Sequence, residues 1–339
     1  MKAIGGYFAL ELAHSKSYPH TKALHLQSAR SALKLIIKNH HIKQLHMPYF
    51  TCKTLLDAVR EANCQIKFYS ISENFAPLLE CKSSEWILYT NYFGINSLNV
   101  NNILLKYPNV IIDNAQSFFA TPSKTCFYSP RKFLGVSDGG LLYDEFKAPF
   151  LGYLSTLEQD TSLDRAIFLF KRLEFGAKSG YKGFIDSEKS LDSTPPKTIS
   201  NLTKAILEST NYTFIKNRRL KNYSTLSKIL DNNRFHKDLE SSEIPMIYPY
   251  FGNQKMRDFL INNKIFIAKY WANVEELCPK NSFEFYLATH LLPLPIDQRY
   301  DKSDMLRIAK YIYECLESAP FSKKATQNLK NPPLMGGGE

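Results

Sequence analysis

Between residues 44 and 144, short runs rich in β-branched and aromatic residues alternate with stretches of helical periodicity. No other feature limits the possible folds as strongly. Residues 44–50, 65–71, 86–90, 110–113, 125–128 and 140–144 read as strands. Helical apolar spacing marks 31–39 (Leu33, Ile36, Ile37), 53–62 (Leu55, Leu56, Val59, Ala62) and 101–106 (Ile103, Leu104). Strands separated by helices make crossover units, and crossover units make parallel sheets. The expected fold class is therefore α/β, a mostly parallel sheet flanked by helices.

The remainder of the chain reads less regularly. Residues 163–175 look helical and apolar, whereas 176–196, rich in Gly, Ser, Lys and Pro, read as a long loop. Residues 201–230 suggest one long helix or a broken pair. A smaller α+β unit follows, with strand candidates at 244–250 and 265–270, helices at 254–262 and 302–316, and turn character at 290–295. This divides the chain into a large domain over 1–235, a small C-terminal domain over 236–322 and a disordered tail over 323–339.

Composition excludes several classes. With 339 residues, 44% hydrophobic and 22% charged, the chain can bury a core without disulfides or metals. Its six cysteines form no C-x-x-C pair, so free thiols and a cytoplasmic setting are expected. No N-terminal apolar stretch resembles a signal peptide, and no window has the length of a membrane span. The net charge of +11 is spread along the chain rather than clustered. That suits a solvated Lys-rich face, or attraction of an anionic small molecule, better than nucleic-acid binding. His40 and His41 are adjacent and would point to different helix faces, and neither they nor His46 has a carboxylate at ligand spacing, so no metal is expected.

Two segments carry chemistry. The run Val110-Ile111-Ile112 ends on Asp113, where the carboxyl end of a parallel strand places ligand contacts. Taken alone, Asp113 also reads as a helix N-cap. Further on, Ser129-Pro130-Arg131-Lys132 is followed by the turn Ser137-Asp138-Gly139-Gly140. Phe127, Tyr128, Phe133, Leu134 and Val136 surround Lys132 in sequence, and an apolar pocket would favour the neutral amine. A neutral lysine and a carboxylate together suit pyridoxal phosphate (PLP): the amine forms a Schiff base and the acid faces the pyridine nitrogen. The third requirement is a phosphate cradle at a helix N-terminus, which Gln27-Ser28-Ala29-Arg30-Ser31-Ala32-Leu33 could supply, although on its own this segment reads as a plain Ser N-cap.

These motifs resemble the DegT/DnrJ/StrS family of PLP-dependent sugar aminotransferases, which have the fold-type I architecture of aspartate aminotransferase. Asp113-Asn114-Ala115-Gln116 matches the family's Asp-x-Ala-Gln/Glu, and Lys132 with Ser137-Asp138-Gly139-Gly140 matches its lysine segment. Pro48-Tyr49-Phe50-Thr51, Asn91-Tyr92-Phe93-Gly94, Arg219 with Asn222-Tyr223, and Leu292-Pro293-Leu294-Pro295-Ile296 follow in the family's order. The resemblance spans about Ser28 to Ile312. It implies that Lys132 holds the cofactor and moves the substrate proton, and that Asp113 pairs with the pyridinium nitrogen. It also implies that Gln116 sits near the ring, and that Ser129 with the backbone of Ala29, Arg30 and Ser31 contacts the phosphate. Tyr49 or Phe50 would cover the ring. The substrates implied are a keto-sugar nucleotide and an amino donor such as glutamate, in glycan or polysaccharide biosynthesis, with a homodimer as the working unit.

The chain departs from the pattern in three places. Phe127 stands five residues before the lysine, where many members have Ser, and Ala29-Arg30 replaces a Gly-Thr. The family's G-x-N-x-R loop is absent, with residues 180–184 and 200–203 as candidate replacements. These departures imply a divergent branch. Lys132 itself is retained, whereas family dehydratases carry His there. Elimination or racemisation on the same scaffold, or a non-catalytic basic binding protein, are the other readings.

Overall fold

The computed structural model describes residues 6–13, 15, 17–230, 233 and 238–317; the tail expected over 323–339 lies outside them. The first half forms β1 (Leu24–Leu26), α1 (Ala29–Asn39), β2 (Gln44–Pro48), α2 (Lys53–Glu61), β3 (Gln65–Ile71), β4 (Pro77–Leu78) and β5 (Trp86–Thr90). It continues through α3 (Ser97–Lys106), β6 (Val110–Asp113), β7 (Cys126–Tyr128) and β8 (Gly140–Tyr143). The strands make one sheet in the order β1-β8-β7-β6-β5-β2-β3-β4. β7, β6, β5, β2 and β3 run parallel, while β8, β1 and β4 join by antiparallel pairs. The expected α/β class is what the chain forms.

Strands β2, β5, β6 and β7 are buried on both faces, while β3 is half open to solvent; their alternation sorts side chains between two cores. Leu88, Ile111, Phe127 and Leu142 point into one core with Leu33, Ile36, Leu55 and Val59 of α1 and α2. Ile87, Tyr89, Val110, Ile112, Tyr128 and Leu141 point into the other. That second core is continuous with Tyr223, Tyr248, Leu292, Met305 and Ile312 of the C-terminal half.

The middle of the chain folds as α4 (Ala148–Leu154), α5 (Leu163–Phe175), α6 (Ala177–Lys189), α7 (Asn201–Ser209) and α8 (Tyr212–Ile229). The loop expected over 176–196 is therefore corrected: most of it is α6, packed back on α5. Its glycines permit close helix approach. A Cβ on Gly180 would lie 2.6 Å from the Phe168 carbonyl oxygen, and one on Gly183 3.0 Å from Phe168 Cβ. Gly176, at φ +83°, makes the turn between the helices.

The C-terminal half contains β9 (Ile247–Phe251), α9 (Gln254–Asn262), α10 (Ala272–Leu277), α11 (Phe283–His290), β10 (Leu291–Pro295) and α12 (Lys302–Glu317). Two expectations fail here. Residues 265–270 form no strand, because Arg257 takes the Ile267 and Ala268 carbonyls in place of a ladder. Residues 290–295, read as a turn, supply β10, antiparallel to β9 with Pro293 opposite Pro249. A two-stranded sheet has only edges, so prolines fit where their missing N–H faces outward.

Candidate active site

The carboxyl ends of β5 and β6 lie side by side, with Thr90 in register with Asp113. Asp113 is 3% exposed, accepts from the Ala115 N–H at 2.8 Å and has the Thr90 hydroxyl at 3.5 Å. Burial raises its pKa above the usual carboxylate value, and the nearby Lys132 charge opposes that rise. Asp113 lies in register with Phe127 of β7, the strand that leads into the Lys132 turn.

Gln116 is committed to architecture on one side. Its Oε1 accepts from the Phe93 N–H at 2.9 Å, and its Nε2 is buried without a hydrogen-bond partner. The bond steadies a turn in which Phe93 and Gly94 both adopt positive φ. Gly94 is required there, since a Cβ would meet the Ile244 carbonyl oxygen at 2.5 Å.

Strand β7 runs into a one-turn 3₁₀ helix, Pro130–Lys132, with Ser129 as its N-cap. The Ser129 carbonyl accepts from Lys132 N–H at 3.2 Å, and the Pro130 carbonyl accepts from Phe133 and Leu134 at 2.9 Å each. Phe133, Leu134 and Val136 are buried, but Lys132 itself is exposed. The apolar pocket expected around the lysine is thus corrected: the apolar side chains pack beneath the turn, and the lysine stands at the wall of a cavity.

The turn that follows is structural. Asp138, fully buried, accepts from Ser200 N at 2.9 Å, Ser200 Oγ at 2.8 Å and the Thr203 hydroxyl, fixing the start of α7. Gly139 N–H donates to the Gln27 carbonyl at 2.6 Å. Gly140 admits no side chain, because a Cβ would lie 2.2 Å from the Ser28 carbonyl. Asp138-Gly139-Gly140 therefore clamps the entry of α1 against the lysine segment, a job that a turn signal alone does not reveal.

At that entry, Ser28 caps α1 by accepting from Ser31 N–H at 3.1 Å. The Arg30 N–H, in the first turn, has no intrahelical acceptor. The Arg30 side chain pairs with Asp192, and Arg131 beside the lysine pairs with Glu188. The last turn of α6 and the residues just after it thereby tie the lysine turn and α1 together. Of the candidate replacements for the G-x-N-x-R loop, 180–184 lie within α6 and 200–203 open α7 with Ser200 and Thr203 buried.

The cavity beside Lys132 measures about 440 Å³. Of the nine candidate residues, only Lys132 lines it. Phe50 is buried against Trp271, and Tyr49 stacks on Phe68. The cavity wall is instead formed by α5, α6, Arg219 and residues 297–299. Sequence reasoning missed Arg172 and Arg299 there. Arg299 is held by Asp297 through bonds of 2.7 and 2.9 Å, while the exposed Arg172 has no ion pair among the described residues. Gln298 Nε2 donates to the Phe133 carbonyl at 2.7 Å, so this loop is fixed to the lysine turn.

No family model matches the chain, and no curated protein matches it in sequence. Solved structures do match. A DegT DnrJ EryC1 StrS aminotransferase from Brucella abortus aligns with a TM-score of 0.58 at 13% identity, covering 88% of this chain and 86% of that one. Helicobacter pylori PseC, an aminotransferase involved in the biosynthesis of pseudoaminic acid, aligns with a TM-score of 0.62 at 13% identity, covering 88% and 87%. The chain has the fold of these sugar aminotransferases. The same fold matches ColD, a GDP-4-keto-6-deoxymannose-3-dehydratase with bound GDP-perosamine, with a TM-score of 0.62 at 13% identity, covering 88% and 89%. Aminotransfer and dehydration thus both occur on the sugar-aminotransferase fold, and the site residues must decide between them.

Proposed function

We propose that the chain is a divergent DegT/DnrJ/StrS aminotransferase that uses PLP to move an amino group from a donor such as glutamate onto a keto-sugar nucleotide. The observation that carries this reading is the buried Asp113 at the carboxyl end of β6, in register with Phe127 of β7, the strand that runs into the Lys132 turn. The residues present fit the cofactor. Asp113 is a buried carboxylate, Gln116 Nε2 is a buried donor without a partner among the described residues, and the first turn of α1 offers the amide of Arg30. Lys132 would hold the cofactor covalently, Asp113 its ring nitrogen, and the start of α1 with Ser129 its phosphate.

PLP, when bound, supplies an electron sink for the substrate carbon. The chain supplies the rest. Lys132 Nζ takes and returns the proton at that carbon, a general base and then a general acid. Asp113 would supply the negative charge that compensates a protonated ring nitrogen. Arg172, unpaired at the cavity wall, attracts the anionic part of the substrate. The exposed apolar residues of α5 and α6, including Leu173 at 85% and Phe175 at 72%, suit a homodimer contact next to the cavity.

The test is the visible absorbance of the purified chain with added PLP. The expected outcome is a coloured protein whose cofactor is fixed by borohydride, and a Lys132→Ala variant in which it is not fixed. A wild-type chain that stays colourless defeats the proposal. Conversion of the bound cofactor to its amino form by glutamate separates transamination from elimination or racemisation.

A further inference from the structure

Away from the cavity, three side chains of different chemistry converge on the underside of the sheet. His46, in the middle of β2, is 2% exposed, and its Nε2 is buried without a hydrogen-bond partner among the described residues. Glu85, just before β5, places Oε1 3.4 Å from that nitrogen, an ion-pair distance that does not make a hydrogen bond. Cys81, half-buried in the loop after β4, completes the group, and the three ligand atoms all lie within 4.8 Å of one another. The sequence hides this arrangement, because 39 positions separate His46 from Glu85. The histidines that stand near His46 in the chain take no part: His40 bonds Asp144 at 2.9 Å, and His41 is exposed.

We propose that His46, Cys81 and Glu85 form a binding site for a divalent cation of the zinc class. A mixed nitrogen, sulfur and oxygen set suits a borderline-soft ion such as Zn²⁺, whereas Mg²⁺ and Ca²⁺ prefer oxygen alone. The geometry agrees. Two nitrogen or oxygen ligands about 2.1 Å from a tetrahedral ion stand about 3.4 Å apart, which is the spacing of His46 Nε2 and Glu85 Oε1. Glu85 is already oriented, since its Oε2 accepts from the Lys82 N–H at 2.7 Å. A buried imidazole nitrogen with no partner is costly, and a metal bond would satisfy it. Lys67 is the cationic neighbour of His46 across β3, and its side chain is exposed and free to turn to solvent. Three protein ligands leave a fourth position for water.

His46 is level with Ile87, three residues down β5 from Thr90 and hence about 10 Å from the Asp113 end. A bound ion therefore clips the 79–85 loop to β2 and takes no part in proton transfer.

The full-length protein is stripped with a chelator and titrated with Co²⁺, the spectrum being recorded as a difference against the metal-free sample. One equivalent should give intense tetrahedral visible bands, and Zn²⁺ should displace them. In competition with a chromophoric chelator, Cys81→Ser and Glu85→Gln should each weaken Zn²⁺ binding roughly a hundredfold or more. Both residues are partly exposed, so the variants should fold. Cys52→Ser, at a half-buried thiol elsewhere, should bind as the wild type does. Zn²⁺ should also raise the unfolding midpoint of the wild type and not of Cys81→Ser. Equal Zn²⁺ affinity in wild type, Cys81→Ser and Glu85→Gln, or no Zn²⁺ binding by the wild type, overturns the site.

Discussion

Asp113 shows how one residue can be costly to the fold and useful to the site. Its folded-state pKa lies above the unfolded one because burial penalises the carboxylate. The stabilising contribution of its protonated form is complete below the unfolded pKa and is lost as pH rises through the folded one. At pH 8 the folded chain therefore bears the cost of a buried charge that PLP, on the proposed reading, would offset. Asp113→Asn keeps an acceptor for the Ala115 N–H and removes the charge. The cofactor-free variant should melt above the cofactor-free wild type at pH 8, and the two should converge towards pH 4. The same change should weaken PLP binding roughly tenfold or more. Melting curves at the two pH values and an absorbance titration check both halves. A variant that melts lower at pH 8 would show that the carboxylate stabilises the apo fold. Lys132 teaches the converse lesson: its apolar sequence neighbours lie beneath the turn, so the amine meets the cavity rather than the core.

Helix α6 is the element that composition misrepresented. Gly180 and Gly183 read as loop residues, yet they lie where α6 crosses Phe168 of α5. A single sequence cannot distinguish a glycine that frees the backbone from one that admits a neighbour. Gly180→Leu should therefore destabilise the α5–α6 pair by about 1–3 kcal/mol, despite leucine's better helix propensity. Hydrogen exchange should quicken over residues 163–189 while the amides of β5 and β6 stay protected; unchanged exchange would place the close contact elsewhere. Strands β3, β5 and β6 were legible to the residue: buried β5 and β6 leave near-unbroken apolar runs bounded by turns, and half-exposed β3 a run that alternates with polar residues. The edge strands β1 and β4 were not, being two or three residues long and defined by their partners. The same limit applies to the site. The ordered motifs marked Asp113 and Lys132, but Arg172 and Arg299 reach the cavity from elements with no motif of their own.

The whole molecule carries a net charge of +11 and, among the described residues, no helix long and apolar enough to cross a membrane. Seven exposed apolar residues lie on the α5–α6 pair: Leu163, Ile167, Phe170, Leu173, Phe175, Tyr181 and Phe184. A patch of that kind beside a cavity is a natural contact for a second copy. Light scattering should therefore report twice the chain mass. Leu173→Asp combined with Phe175→Asp should shift it to the single-chain mass while leaving far-ultraviolet circular dichroism unchanged. Twofold mass retained in the double variant would move the interface to another face.

The strand order also bears on how the chain emerges from the ribosome. β2, β3, β5 and β6 are neighbours in the sheet and are synthesised within one continuous stretch, so they can pair early. β1 is translated first, but its partners, β8 and a bridge to Thr198, come much later, and Leu24 must wait for Leu142. Until then, α1 has no β8 to rest on and its Leu33–Ile36 face lacks Leu142. The nascent chain therefore passes through an interval of more than 100 residues with an unpaired edge and an open apolar surface. Chaperone capture should peak on ribosome-bound chains halted within that interval and fall once β8 has left the exit tunnel.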